Sequence, residues 1–311
     1  MPELALFKVG LASPANTFFA IWMARDAGFY EREGLRVEIV PVVGGVNTGP
    51  DLASGHVHLM HIGMSSVVRA NALGGDVVEI GSLSNIIRNT MFLAPGVRNA
   101  TDLKGKIVGI SSAGSETDSA TTLALRRLGL QRSDVTIKEI GVVRLDAVRN
   151  GEVAASLMGE PTRGQALAMG LTPIVDLLSD RTPWLYSGLA VHRAFLRDHR
   201  DRVKAFLKAT VEGNYLAYTD AVRAKPLLAR ELGLSDPGII DITYENFRAA
   251  TPLDADVTWE GARNIINVLD YPGMSSDPRA HVDDGVYKEL DAEGFYKAMR
   301  EKYGVAAALS T

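Results

Sequence analysis

The chain has no cysteine among its 311 residues, and this absence excludes several kinds of site at once. Disulfide bonds, thiolate nucleophiles and zinc sites built on thiolates all require cysteine. The lack of cysteine is compatible with an oxidising compartment but does not require one. The net charge is also small, −4 with an isoelectric point near 5.9, so the sequence offers no basic surface for nucleic acid or for an anionic membrane.

A long apolar segment is missing as well. The longest apolar run near the N-terminus, Phe18–Ala24, is far shorter than the ~20 residues that cross a bilayer. The first residues, Met1–Glu3, are not a basic region followed by an apolar one, as in a leader peptide. We therefore expect either a cytoplasmic protein or one whose targeting segment was removed and replaced by a start methionine.

The common catalytic motifs are absent too. The sequence contains no G-x-S-x-G, no H-E-x-x-H, no G-x-x-x-x-G-K-[ST] and no G-x-G-x-x-G that opens a helix. His56, His58 and His61 lie on one predicted strand, where alternation turns His61 away from the other two, so a three-histidine metal site is not expected. We predict no catalytic residue, no metal and no cofactor, which favours a binding protein over an enzyme.

What is present is an alternation of short apolar strands and helices. Leu4–Leu11 and Leu35–Val40 have the pattern of strands, and Phe18–Ala27 between them has the pattern of a helix that ends at Gly28. A β-α-β rhythm with short connections predicts a mostly parallel sheet flanked by helices. The other local predictions are a turn at Phe29–Gly34, a helix at Val67–Leu73, a strand at Val77–Leu83, a helix at Ser119–Leu128 and one helix over Gly285–Tyr303.

The same rhythm restarts after an extended passage at Ile86–Pro95, which indicates a second unit of similar size. A chain of 311 residues is long for a single core, so two lobes are expected. Another extended passage, Arg181–Leu189, precedes a region of helical pattern, and we predict that the two passages are paired hinge strands. The predicted fold is α/β with two lobes: 1–88 is the first part of lobe 1, 89–187 is lobe 2, and 188–311 returns to lobe 1 with C-terminal helices.

Polar loops follow the predicted strands at the edge where such sheets bind ligands, the carboxyl ends of the strands. In the first unit these loops are Ser13–Thr17, Gly44–Gly45, Met64–Ser66 and Ser84–Asn85. We expect the four loops to converge on one rim.

The junction Gly109–Thr117 is the strongest candidate in the second unit. It joins an apolar strand to a helix through small and hydroxyl residues, and the first turn of a helix offers unpaired N–H groups to an anion or to the polar edge of a neutral ligand. The alternative is that Ser115 or Thr117 simply caps the helix.

Four blocks of sequence carry a resemblance to a known family. They are Gly28–Leu35 followed by a strand, Leu52–His58, Asp102–Gly109, and Gly151–Ala155 with Glu160–Pro161. In this order they resemble the substrate-binding proteins of ABC importers for nitrate, alkanesulfonates, taurine and thiamine-pyrimidine precursors, whose signature reads GFF-EKEGL-V. One departure is His58, where the family often carries aspartate.

The resemblance implies a type II periplasmic-binding-protein fold, in which two lobes close on a ligand. It implies a monomeric periplasmic protein, its signal segment removed, that delivers a small solute to a membrane permease coupled to an ATPase; the cytoplasm remains the alternative if Met1 is native. The resemblance implies that the ligand is bound by positions that lie after the first strand, at the start of the third helix, at the two crossovers and at the helix start of lobe 2. On this sequence, with the Gly-rich loop and the second crossover added, they are Ser13, Asn16, Thr17, Gly45, Ser65, Ser66, Asn85, Ser112, Ser115, Thr117, Glu160, Trp184 and Tyr186.

The nature of the ligand stays open between three classes. Hydroxyl-lined loops suit a sulfonate or a carboxylate, whereas Glu160 with Trp184 and Tyr186 would suit a planar nitrogen heterocycle. Glu160 could instead favour the start of the next helix. No arginine is assigned to the cleft, because Arg88, Arg144 and Arg163 lie near strand ends, where such a residue is more often a solvated side chain.

Two other functions fit the same fold. One is an intracellular ligand sensor, which the missing signal segment favours. The other is an enzyme resembling those that make the thiamine pyrimidine, but that branch uses a cysteine-rich stretch, which this chain does not have.

Overall fold

The computed structural model describes residues 3–43 and 47–305. Within those ranges no helix is both long and apolar enough to cross a membrane. The strands are β1 (Ala5–Leu11), β2 (Leu35–Pro41), β3 (Leu59–Ile62), β4 (Val77–Ile86), β5 (Thr90–Leu93), β6 (Ile107–Ile110), β7 (Thr136–Glu139), β8 (Ala155–Met158), β9 (Thr172–Asp176) and β10 (Pro183–His192).

Before β10, the described residues form seven α-helices between these strands. They are α1 (Phe19–Asp26), α2 (Phe29–Arg32), α3 (Thr48–Ala53), α4 (Met64–Ala72), α5 (Glu116–Arg127), α6 (Arg144–Arg149) and α7 (Thr162–Ala168). Seven more follow β10: α8 (Arg193–Asp198), α9 (Arg200–Thr219), α10 (Ala221–Leu232), α11 (Pro237–Ala250), α12 (Trp259–Val268), α13 (Gly285–Ala292) and α14 (Phe295–Tyr303).

The strands form two five-stranded sheets, in the orders β2-β1-β3-β10-β4 and β7-β6-β8-β5-β9. In the first sheet β10 runs antiparallel to both of its neighbours, and in the second β5 does so. Each sheet therefore has four strands in one direction and one in the other, and the prediction of two α/β units with mostly parallel sheets is confirmed. We call the elements around the first sheet lobe 1 and those between residues 90 and 176, around the second sheet, lobe 2.

Lobe 1 is built from both ends of the chain. Strand β10 inserts between β3 and β4, with Pro183 opposite Ile86, so the chain leaves lobe 1 and returns to it at neighbouring positions. Helix α1 lies buried against α9, and the ring of Phe206 in α9 stacks at 4.9 Å on the ring of Phe7 in β1. The division at residues 88 and 187 stays a prediction.

Two elements differ from the local expectations in lobe 1. The predicted turn at 29–34 forms a short helix, α2, because the backbone N–H of Arg32 donates to the carbonyl of Gly28. This helix turns the side chain of Tyr30 into the core. The single helix expected over 285–303 is two, α13 and α14, because Gly294 has φ of 75°, a left-handed conformation that interrupts a right-handed helix.

Strand β4 and helices α4 and α5 begin or end at other residues than predicted, and these differences change where the predicted ligand-binding residues lie. Strand β4 continues to Ile86, so Ser84 and Asn85 lie within a strand rather than in a loop. Helix α4 begins at Met64, and α5 begins at Glu116 with Ser115 as its N-cap. The polar residues at 65, 66 and 116 therefore sit in first turns of helices.

Candidate ligand-binding site

A cleft of about 670 Å³ separates the two lobes, and both of them line it. This is within the range of ~300–1,000 Å³ typical of small-molecule sites. Nine of the predicted site residues line it: Ser13, Asn16, Thr17, Ser66, Ser112, Ser115, Thr117, Glu160 and Tyr186. Gly45 lies outside the described residues. That the nine contact a ligand stays a prediction.

Three predicted site residues lie behind the cleft wall instead. The Ser65 hydroxyl accepts from Ser119 Oγ at 2.8 Å, and the Asn85 amide donates to the carbonyl of Asp256 at 3.0 Å. Trp184 is 1% exposed and donates from Nε1 to Glu116 Oε2 at 2.7 Å. These side chains are engaged with the protein, and Trp184 supports the wall without stacking in the cleft.

On the lobe 1 side, the loop after β1 faces the cleft. Asn16 is 2% exposed, and its amide donates to the carbonyl of Thr243 and to Asn246 Oδ1 of α11. Both amide hydrogens are therefore used to hold the loop against the C-terminal helices. Ser13, by contrast, is exposed at the mouth of the cleft.

On the lobe 2 side, three hydroxyl groups form a closed cluster at the start of α5. The oxygens of Ser111 and Thr117 are 2.6 Å apart, and Ser115 Oγ lies 2.9 Å from each of them. Ser115 also accepts from the backbone N–H of Asp118, as an N-cap does. The capping interpretation is thus confirmed, and the same loop still faces the cleft.

Glu116 is the acidic residue at the centre of this wall. It is 9% exposed and accepts two hydrogen bonds, at 2.6 Å from the Ser65 backbone N–H in lobe 1 and at 2.7 Å from the Trp184 indole in the returning strand. Burial raises its pKa to about 7, and the two donors counteract only part of that effect. One carboxyl group therefore joins lobe 2 to lobe 1 and titrates near neutrality.

Gly63 makes room for this carboxyl group. A Cβ atom at Gly63 would lie 2.3 Å from Glu116 Cγ and 2.4 Å from the carbonyl oxygen of Tyr186. Any other residue would push α5 away from the end of β3. The close approach of the lobes at this point thus depends on a glycine.

Glu160 lines the cleft but is already paired. Its Oε1 accepts from Arg163 at 3.1 Å, and its Oε2 accepts from the backbone N–H of Gly164 at 3.0 Å. The side chain therefore serves the first turn of α7, which was one of the two alternatives from the sequence.

Arg88 lines the cleft, which the sequence interpretation missed. It is 1% exposed; its Nε donates to Ser84 Oγ, and its Nη2 donates to Leu83 O and to Thr251 Oγ1. Its Nη1 is buried without a partner in the described part of the chain. Burial lowers the pKa of Arg88 to about 9, which still leaves it charged at neutral pH. The interpretation of this residue as solvated is wrong, because hydroxyls and a carbonyl of β4 and the C-terminal region hold it inside.

Arg144 is the second arginine of the cleft. Its Nε donates to the carbonyl of Leu157 at 3.1 Å and its Nη1 to that of Gly141 at 2.9 Å, and burial lowers its pKa. Arg163, the third arginine in question, pairs with Glu160 and Asp176. The solvated interpretation therefore fails for Arg88, whereas Arg144 and Arg163 are half-buried and are held by carbonyl groups or by ion pairs.

Tyr186 interacts electrostatically with both Arg88 and Arg144. Burial raises its pKa to about 12, Arg144 and Arg88 act to lower it, and Glu116 acts to raise it. Its hydroxyl group is thus within electrostatic reach of both arginines and of the carboxyl group, and it faces the same cleft.

His61 and His58 pack against other residues of lobe 1. His61 lines the cleft, and burial lowers its pKa to about 4, so it is neutral at pH 7. His58 accepts from the Lys8 backbone N–H and stacks on Phe195. Across the residues with described positions, no three His, Asp or Glu side chains are grouped to hold a metal ion.

Sequence comparisons connect the chain to known proteins. The sequence model of the NMT1/THI5-like family matches residues 15–224. A riboflavin-binding protein, RibY, of Chloroflexus aurantiacus is 27% identical over 225 residues, 68% of this chain and 62% of that protein. A 4-amino-5-hydroxymethyl-2-methylpyrimidine phosphate synthase of Schizosaccharomyces pombe is 25% identical over 204 residues, 61% of this chain and 58% of that protein. The chain thus spans less than two thirds of the length of either relative.

The fold is shared with solved binding proteins. The periplasmic aliphatic sulphonate binding protein SsuA of Escherichia coli superposes with a TM-score of 0.72 at 20% identity, over 93% of this chain and 100% of that one. At this identity the likeness concerns the fold. It agrees with the two-lobe architecture that the sheets display.

Proposed function

This chain belongs to the NMT1/THI5-like family, and from that membership and the geometry of the cleft we propose that it is the solute-binding component of an ABC importer. In this proposal it captures a small polar organic solute between the lobes and delivers it to a membrane permease that works with a separate ATPase. The protein acts as a monomer in the periplasm and carries out no reaction on the solute.

One observation carries the proposal: a cleft of ligand size is lined from both lobes by polar groups. Asn16 and Thr17 contribute from lobe 1, and Ser112 and Thr117 contribute from lobe 2. A ligand shifts the equilibrium between open and closed lobes only by its differential affinity for the two states, so contacts from both sides are what closure requires. Closure would turn on the connections between β4 and β5 and between β9 and β10.

The names of similar proteins support binding over catalysis, though not uniformly. RibY is named for riboflavin binding and SsuA for aliphatic sulphonates, while the fission-yeast relative is named a synthase. The absence of cysteine from this chain disfavours the cysteine-dependent branch of the family. A solute-binding role is therefore the stronger assignment.

Native mass spectrometry of the purified protein, followed by thermal-shift screening of sulfonates, carboxylates and nitrogen heterocycles, tests the proposal. A solute at 100 times its Kd stabilises the folded state by about 2.7 kcal/mol and so raises Tm. The solute should bind more weakly to the Ser112→Ala variant and equally well to Ser133→Ala, an exposed serine outside the cleft. Conversion of the bound solute to a product, or the absence of binding by any solute, would contradict a transport role.

A further inference from the structure

Two guanidinium groups of the cleft have no acidic partner. Neither Arg88 nor Arg144 forms an ion pair with any residue in the described ranges. Arg88 Nη1 is buried and unpartnered, and Arg144 uses Nε and Nη1 on carbonyl groups, so each side chain keeps one terminal nitrogen free. A buried charged donor without a partner, such as Arg88 Nη1, destabilises the protein, and an anionic ligand that supplies an acceptor offsets this effect. The free nitrogen of Arg144, which is half-buried, is open to the same ligand.

The acidic residues that line the cleft do not balance these charges. Glu160 is paired with Arg163 and with a backbone N–H group. Glu116 accepts from two neutral donors, and its carboxyl group titrates near neutral pH. His61 is neutral at pH 7. The lining of the cleft therefore carries a net positive charge at pH 7, because two guanidinium groups without an acidic partner outweigh one carboxyl group that is only partly ionised.

The two arginines belong to opposite walls. Arg88 is fixed to Leu83 and Thr251, which are parts of lobe 1. Arg144 opens α6 and is fixed to carbonyl groups of lobe 2. Tyr186 lies within electrostatic reach of both, so the two guanidinium groups border one volume.

We propose that the solute is an organic dianion, a phosphate monoester or a dicarboxylate, whose negative charges are shared between Arg88 of lobe 1 and Arg144 of lobe 2. This inference rests on the proposed solute-binding function and narrows it. Arginine forms paired, charge-assisted hydrogen bonds with both kinds of oxyanion. A monoanion would leave one of the two guanidinium groups uncompensated when the lobes close.

Pairs of aromatic anions that differ in net charge test whether the cleft prefers a dianion to a monoanion. Phenyl phosphate is a dianion at pH 8, and benzenesulfonate is a monoanion of similar size. Phthalate and benzoate extend the comparison to carboxylates. Isothermal titration at pH 8 and low salt should give at least tenfold tighter binding of the dianion in one of the two pairs, and the pair that does so identifies the class.

The Arg144→Gln variant assigns the effect to the site. It should reduce dianion affinity at least tenfold and monoanion affinity much less, which removes the preference. Arg149→Gln is the matched control, because Arg149 is exposed on the same helix and pairs with Asp146. Arg144 suits this test better than Arg88, whose three hydrogen bonds hold the interior together. Circular dichroism checks that both variants are folded.

Each remaining outcome decides between the two proposals. Equal or tighter binding of the monoanions in both pairs, or a preference unchanged in Arg144→Gln, overturns the dianion assignment. Tight binding of a neutral heterocycle in the screen, without binding of any of the four anions, also overturns it but leaves the solute-binding function in place. Failure of every solute, charged or neutral, overturns both.

Discussion

Replacement of Glu116 by glutamine should remove a pH dependence from the stability of this protein. Glu116 is nearly buried and is held by donors from lobe 1 and from β10. No cation pairs with it within residues 3–43 and 47–305. Glu79, Tyr186 and Tyr271 are the other titratable groups that interact with it electrostatically. The carboxylate form is therefore disfavoured mainly by burial.

The magnitude follows from the pKa. A rise from 4.5 in the unfolded chain to about 7 in the folded protein corresponds to about 3 kcal/mol, since one pKa unit is ~1.4 kcal/mol. Between these two values the folded state holds a proton that the unfolded state has lost, so the free energy of unfolding falls as the pH rises from about 4.5 to about 7. Above pH 7 both states are ionised and this contribution is constant.

Urea unfolding followed by circular dichroism between pH 4.5 and 8.5 measures this effect. The difference in unfolding free energy between wild type and Glu116→Gln should fall by about 3 kcal/mol across that range. The glutamine leaves one of the two N–H donors without an acceptor, which adds an offset of ~1–3 kcal/mol at every pH but no slope. Glu38→Gln, the same change at an exposed position of β2, is the control. Parallel curves for wild type and Glu116→Gln would refute the reasoning.

Three more predictions concern the same wall of the cleft. Gly63→Ala should destabilise the protein by ~1–3 kcal/mol in urea unfolding, since its Cβ overlaps Glu116; an unchanged midpoint would contradict this. Trp184→Phe removes a donor to Glu116 and should move the pH-dependent part of the stability curve to higher pH, which the same titration would detect. Ser115→Ala should cost ~1 kcal/mol through the lost N-cap, whereas Ser112→Ala should change stability by less than ~0.5 kcal/mol; calorimetry compares the two, and equal losses would argue against the cap.

The sequence was sufficient for the architecture because that depends on periodic patterns. Short apolar strands, helices such as the one that ends at Gly28, and the extended passages Ile86–Pro95 and Arg181–Leu189 together predicted two α/β units. Loops at the carboxyl ends of strands also predicted where the cleft lies, because parallel strands present those ends at one edge. Ser13, Ser112 and Thr117 were identified in this way.

The charged residues of the site could not be predicted by the same logic. Whether Arg88 is solvated depends on Thr251, which is distant in the sequence and reaches it only in the fold. The hydrogen bond between Trp184 and Glu116 joins residues that are 68 positions apart in the sequence. For Arg88 the local sequence did indicate burial, because this residue follows a ten-residue strand whose residues are all buried. The hydroxyl groups of Ser82 and Ser84 in that strand also offered hydrogen-bond acceptors for a buried guanidinium group.

The position of lobe 2 within the chain has a consequence for recombination. Its whole sheet comes from residues inserted between Ile86 and Pro183, which face each other across adjacent strands. This segment could be exchanged for its counterpart from a homologue without a change in the path of the rest of the chain. The two ends of the segment are paired residues on the adjacent strands β4 and β10. Such an exchange would replace Arg88 and Arg144 together, because both lie between Ile86 and Pro183 in the sequence, while Asn16, Thr17 and Tyr186 of the remaining chain would stay.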